Sequence, residues 1–128
     1  MSAKAWLAIG AFLMACGVAL GAFGAHVLRE VLTPALMAAY EKALFYHLIH
    51  GLAVVSVASL AQSGLLSTTA SHRTCILLLA GVTFFSGSLY LLALSGQRWL
   101  GAITPLGGIL LILAWLHLCL SSVPSRSR

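Results

Sequence analysis

Four apolar runs dominate the chain: residues 6–25, 43–63, 74–94 and 105–122. Each approaches the roughly 20 residues that carry a helix across a hydrocarbon core about 30 Å thick. Such runs restrict the fold to spanning helices, because in lipid every backbone N–H and C=O must find its partner inside its own segment. The surplus of apolar residues agrees. Of 128 residues, 61% are hydrophobic and only 7% charged. One small core cannot bury that much apolar surface, so much of it faces something other than water. The expected fold class is all-α, an integral membrane four-helix bundle in a single polytopic domain, with the lipid bilayer as its first partner.

A formal charge of +5 raises the question of nucleic acid. The basic residues, however, stand singly at the ends of apolar runs, where they anchor and orient helices. Nucleic-acid binding is not expected. Cys16, Cys75 and Cys119 each fall inside a run without a paired pattern. They read as small hydrophobes, with no disulfide framework or zinc site implied.

The first run, "WLAIGAFLMACGVALGAFGA", admits a signal-peptide reading with Ala19 and Gly21 before a cut. A retained helix is preferred, because Gly17, Gly21 and Ala25 form a stripe of small residues that lets another helix come close. The following "HVLREVLTPALMAAYEK" is too polar to span and reads as an interfacial segment. Thr33 and Pro34 make a cap and first-turn pair, and nothing beyond them breaks a helix running into the second span. "GLLSTTASHR" reads as a short polar turn before the third span. Thr104 and Pro105 repeat the cap signature at the fourth, and the tail "VPSRSR" reads as disordered.

Four spans put both termini on one side, with Lys4, Arg73, Arg126 and Arg128; the other side carries Arg29, Lys42 and Arg98. The excess favours cytoplasmic termini. Up-down topology also gathers most unusual side chains at one end of the bundle: His26, Tyr40, Glu41, His47, His50, Tyr90 and Arg98 among them. The opposite half is plainer, with His117 its exception. Counted from Lys42, His47 lies about 7.5 Å and His50 about 12 Å inside. Thr83, Ser86, Gly87 and Tyr90 share one face of the third helix, and Tyr40, His47 and His50 one face of the second. A candidate polar cluster therefore comprises His26, Tyr40, His47, His50, Ser86 and Tyr90, with Gly17, Gly21, Ala25 and Gly87 as packing positions. Glu41 points away from His50 and reads as interfacial, paired with Arg29 or Arg98. Tyr40 and Trp99 read most simply as interfacial anchors.

The blocks "GAFGAHVL", "YHLIHGLA", "FSGSLYLLALSG" and "RWLGAITPLGG" resemble, in this order, those of the YgdD/YwdK-type family. These are small four-helix bacterial membrane proteins of unknown function, with mitochondrial relatives. The resemblance implies four spanning helices and an inner-membrane location, and it implies no activity. His26, His47 and His50 match the family pattern; His72 and His117 do not.

For His47 and His50 the first expectation is interhelical hydrogen bonding, since a neutral imidazole donates at one nitrogen and accepts at the other. A metal site needs His26 as third ligand and finds no carboxylate on the same face. Haem needs facing histidines, and His117 is offset in depth from His50. Proton-coupled transport would rely on the imidazoles alone, no span having a carboxylate at its middle. No nucleophile–base–orienter set for a hydrolase assembles, for the chain has no Asp. Gly107 and Gly108 lack the strand and lysine of a phosphate loop and read as close packing sites. The expectation is an accessory or interaction protein without catalytic residues, metal or cofactor. It would pack with itself as a homo-oligomer or with a larger membrane complex. The alternative is a small-ligand, metal, quinone, lipid or proton-coupled transport site lined by the histidines.

Overall fold

The computed structural model describes residues 1–123 of the chain. The stretch expected to be disordered lies, from residue 124 onward, outside the described residues, as do Arg126 and Arg128 of the charge comparison.

Helix α1 runs Ala3–Val31. It starts under Ser2, whose hydroxyl accepts from the Ala5 N–H at 3.3 Å. Over Gly24–Leu28 it widens into a π-helical turn before closing with Arg29–Val31. The widening sits beside Leu20, whose carbonyl also receives the Tyr40 hydroxyl at 2.7 Å. An outside donor on a helix carbonyl commonly accompanies such a bulge. The segment expected to lie at the interface is thus helical through Val31, because nothing in "HVLREV" breaks a helix. The break is confined to Leu32 and Thr33, both extended, where Pro34 excludes the helical conformation of its predecessor.

Helix α2, Pro34–Gln62, is unbroken over 29 residues. The Thr33 hydroxyl caps it by accepting from Leu36 N–H at 3.4 Å. At 1.5 Å per residue it is about 44 Å long, more than the hydrocarbon core is thick.

Helix α3 runs Thr68–Ser95, six residues earlier than the third apolar run. The polar "TTASHR" is therefore its first turns rather than a loop. Ser67 supplies the cap, accepting from Ala70 N–H at 3.2 Å, and the true turn is short, pivoting on Gly64 at φ 77°. The buried Ser71 and Thr74 face inward, so polarity there marks contact with other helices, not exit into water. Gly96, at φ 71°, ends the helix in the left-handed conformation.

A 3-10 turn, Arg98–Ala102, leads into α4, Thr104–Ser122. Pro105 occupies the first turn as expected, but Thr104 does not cap it. Its hydroxyl pairs with Ser88 of α3 at 2.8 Å.

α2 and α3 form the centre, with α1 packed on α2 and α4 on α3. In their most apolar stretches 44% of α2 and 39% of α3 is buried, against 17% in each of α1 and α4. The outer helices hold Trp6, Leu111 and Ala114 inward, while Phe12, Val18, Ile112 and Leu120 face outward. Outward apolar side chains of this kind are what lipid requires. Close approach of α3 and α4 is set at two glycines. A Cβ on Gly107 would run into the backbone of Phe84 and Phe85, and one on Gly81 into Leu111.

Candidate functional site

Polar side chains in a lipid-embedded core must be satisfied by one another or by backbone, since no water competes. Here that demand is met in large part by bonds between helices. The Trp6 indole N–H donates to His72 Nδ1 at 3.0 Å, joining α1 to α3. The Trp115 indole N–H donates to His50 Nε2 at 3.1 Å, joining α4 to α2. Thr74 Oγ1 and His117 Nδ1 lie 2.9 Å apart, joining α3 to α4. His47 Nδ1 lies 3.3 Å from the Tyr90 hydroxyl, joining α2 to α3. Ser71 donates to the Val57 carbonyl at 3.3 Å. Four of the five histidines thus bridge two helices.

These bonds occur along the whole bundle. The expectation that unusual residues concentrate at the His47 end is corrected by Trp6–His72, Ser71–Val57 and Thr74–His117, which sit at the opposite end. By sequence alone His72 falls in a turn, Thr74 at the edge of a span and Trp6 at the start of another. One signal was available in the sequence. An indole N–H inside or at the edge of a span needs an acceptor, and imidazole nitrogens are the strongest side-chain acceptors this chain places there.

The six side chains of the candidate cluster do not converge. His47 and His50 lie three residues apart, which separates their directions by about 60° on the helix. His47 turns to α3 and His50 to α4. His50 is fully engaged: its Nδ1 is 2.8 Å from the Tyr46 carbonyl while Nε2 accepts from Trp115. That assigns the Nδ1–H tautomer and leaves no lone pair for a metal. His26 is exposed on the π-helical turn, away from both. Tyr40, read as an interfacial anchor, is instead 1% exposed, its hydroxyl on Leu20 O and its ring edge-on to Tyr90 with centroids 5.0 Å apart. Trp99 is exposed on the 3-10 turn. Glu41 and Arg29 line one groove near the start of α2.

The small residues divide as well. Gly17 meets Leu48 and Gly21 meets Leu44, so both serve the α1–α2 contact within the chain. Ala25 is exposed, and Gly87 has open space where a Cβ would stand. Gly107 is a tight contact, whereas Gly108 stands at ordinary distance from the Phe85 ring. Among the described residues no group of three His, Cys, Asp or Glu side chains is placed to hold a metal ion.

What remains is a smaller constellation of His47, Ser86 and Tyr90. His47 is 6% and Ser86 1% exposed. His47 Nε2 and Ser86 Oγ are buried without a hydrogen-bond partner. The Leu13 carbonyl lies beside the His47 ring, yet no bond of acceptable geometry forms. Both residues line an open, surface-facing cavity of about 230 Å³ between α1 and α3, with Leu13, Leu20, Val82, Thr83, Gly87 and Tyr90.

Residues 20–108 match the family described as "Protein of unknown function (DUF423)". A UPF0382 membrane protein of Staphylococcus haemolyticus is 44% identical over 93% of this chain and 95% of its own length. The UPF0382 membrane protein YwdK of Bacillus subtilis is 38% identical over 94% and 97%, and one of Haemophilus influenzae 36% identical over 86% of each. No solved structure matches the chain. With four helices able to span a bilayer and relatives of this kind across nearly its whole length, the chain is a membrane protein and belongs to the DUF423, or UPF0382, family of unknown function.

Proposed function

We propose that this protein is a non-enzymatic accessory component of the inner (plasma) membrane, with cytoplasmic termini, that packs with itself or with a larger membrane complex. One observation carries the reading: four of the five histidines hold a partner on another helix. His50, His72 and His117 each hold a partner on another helix, and His50 has no free nitrogen left. A bundle tied at both ends presents a fixed exterior, which suits a packing partner more than a catalyst. The exterior is available on α1 and α4, which bury little of themselves within the chain.

Because Gly17 and Gly21 are occupied by α2, a second copy or a larger partner meets other faces. Native mass spectrometry from lipid nanodiscs, with cross-linking in intact membranes, tests this. A defined oligomer or a reproducible complex of fixed stoichiometry is expected. Monomers alone, with no cross-linked partner, overturn the proposal. Fusing reporters to each terminus tests sidedness, with activity of a cytoplasmic reporter expected at both.

A further inference from the structure

The orphaned groups at His47 and Ser86 call for a ligand. Helix serines and threonines in this chain normally return their hydroxyl to the carbonyl one turn back: Ser56 to Leu52, Ser59 to Val55, Thr83 to Leu79, Ser95 to Leu91 and Ser122 to Leu118. Ser86 does not. Its hydroxyl has no partner, although it is among the most completely buried side chains of the protein. One helix away His47 leaves Nε2 equally unpartnered while Nδ1 is held at Tyr90. Two unsatisfied groups in hydrocarbon surroundings are costly, and a pair on one cavity has a ligand as its simplest explanation.

The cavity restricts the ligand's chemistry. Its volume of about 230 Å³ is several times the share of one water molecule, about 30 Å³. Leu13, Leu20, Val82 and Gly87 make most of the wall apolar, so water has few partners there. Exposed Thr83 brings the rim to the lipid-facing surface between α1 and α3. A charged group is excluded by its cost at this depth. When Tyr90 donates to Nδ1, Nε2 carries the ring proton, and Ser86 adds a hydroxyl proton. Two donors suit one oxygen with two lone pairs. Neither atom is accessible in the unliganded protein, so both side chains shift to meet an incoming oxygen, and for Ser86 that breaks no hydrogen bond.

We propose that the cavity between α1 and α3 binds a lipid-soluble carbonyl compound, whose apolar body lies against Leu13, Leu20 and Val82 and whose oxygen accepts from His47 and Ser86. The source is a free ketone- or quinone-like molecule or the ester carbonyl of a lipid acyl chain. This site is independent of the accessory role.

The test uses the full chain, 15N-labelled at histidine, in dodecyl maltoside micelles, which contain no carbonyl. Undecan-2-one is titrated against undecane, with the His47 side-chain resonance as readout. Saturable displacement by the ketone and none by the alkane is expected. Ser86→Ala removes a hydroxyl with no partner in the protein, so it keeps the fold, checked by circular dichroism, and weakens the ketone about fivefold. Repetition in diacyl and in dialkyl-ether phosphatidylcholine nanodiscs separates the sources. Competition by the diacyl lipid alone assigns the site to ester carbonyls, and unchanged ketone binding in both assigns it to a free compound. Equal response to ketone and alkane, ketone binding unaffected by Ser86→Ala, or a bound water that the ketone does not displace would each overturn the proposal.

Discussion

Trp115 on α4 donates its indole proton to Nε2 of His50 on α2 over 3.1 Å, and the same imidazole is held at Nδ1 by the Tyr46 carbonyl. One ring therefore fixes the rotation of two helices that are not neighbours in the chain. Interhelical hydrogen bonds in membranes contribute about 0.6 kcal/mol on average and up to about 1.7 kcal/mol. Single bonds of that size do not drive folding. Several of them choose one arrangement among apolar helices that would otherwise slide.

Trp6→Phe keeps an aromatic ring but removes the proton donated to His72 together with part of the buried indole. It should destabilise the protein by about 1–3 kcal/mol, and His72→Leu by about 0.5–1.5 kcal/mol. Because both act on one bond, the double variant should fall short of their sum. Thermal or denaturant unfolding in detergent measures this.

Gly107→Ala places a methyl group against the backbone of Phe84 and Phe85, where nothing flexible can give way. A loss of about 1–3 kcal/mol is expected, as for other overpacked contacts. Gly87→Ala meets open space and should stay within about 0.5 kcal/mol of the parent. Equal effects at the two positions would contradict the α3–α4 contact described above.

Leu78 is 1% exposed in the core, whereas Phe12 is 69% exposed on α1. Leu78→Ala opens a cavity and should cost about 2–5 kcal/mol. Phe12→Ala changes only which surface meets lipid and should cost far less. The Phe12 result reports which face of α1 is turned outward.

The start of α3 is tested at Ser67. Losing its cap in Ser67→Ala should cost about 1 kcal/mol, and Ser67→Gly only a few tenths of that. If residues 68–73 were a loop, both substitutions would be silent. Hydrogen exchange at Ala70 and Ser71 would then be fast as well.

Much of this architecture is legible in the sequence. The four apolar runs, Pro34 and the Thr33 cap specify the spanning helices and the long continuous α2, because length and capping are local properties. The start of α3 was not legible in "TTASHR", since polarity along one segment does not tell whether it meets water or another helix. The same reason explains the spread of the polar contacts. The second apolar run places His47 and His50 on α2, but their partners, Tyr90 and Trp115, are set by how α3 and α4 are rotated. Tyr40 illustrates it most simply: an aromatic residue near the end of a span suits an anchor, until α1 brings Gly24 and Leu20 against it. Ser86 was legible as part of a polar face, while its missing partner is visible only in three dimensions.

The claim that the histidines act as ties is tested most directly by a double-mutant cycle on His50→Leu and Trp115→Phe, followed by unfolding in lipid nanodiscs. The account predicts a coupling of about 0.5–1.5 kcal/mol between the two positions, with the helical content unchanged. Strict additivity, with the two losses summing to within about 0.3 kcal/mol, would contradict it and leave His50 without a structural role.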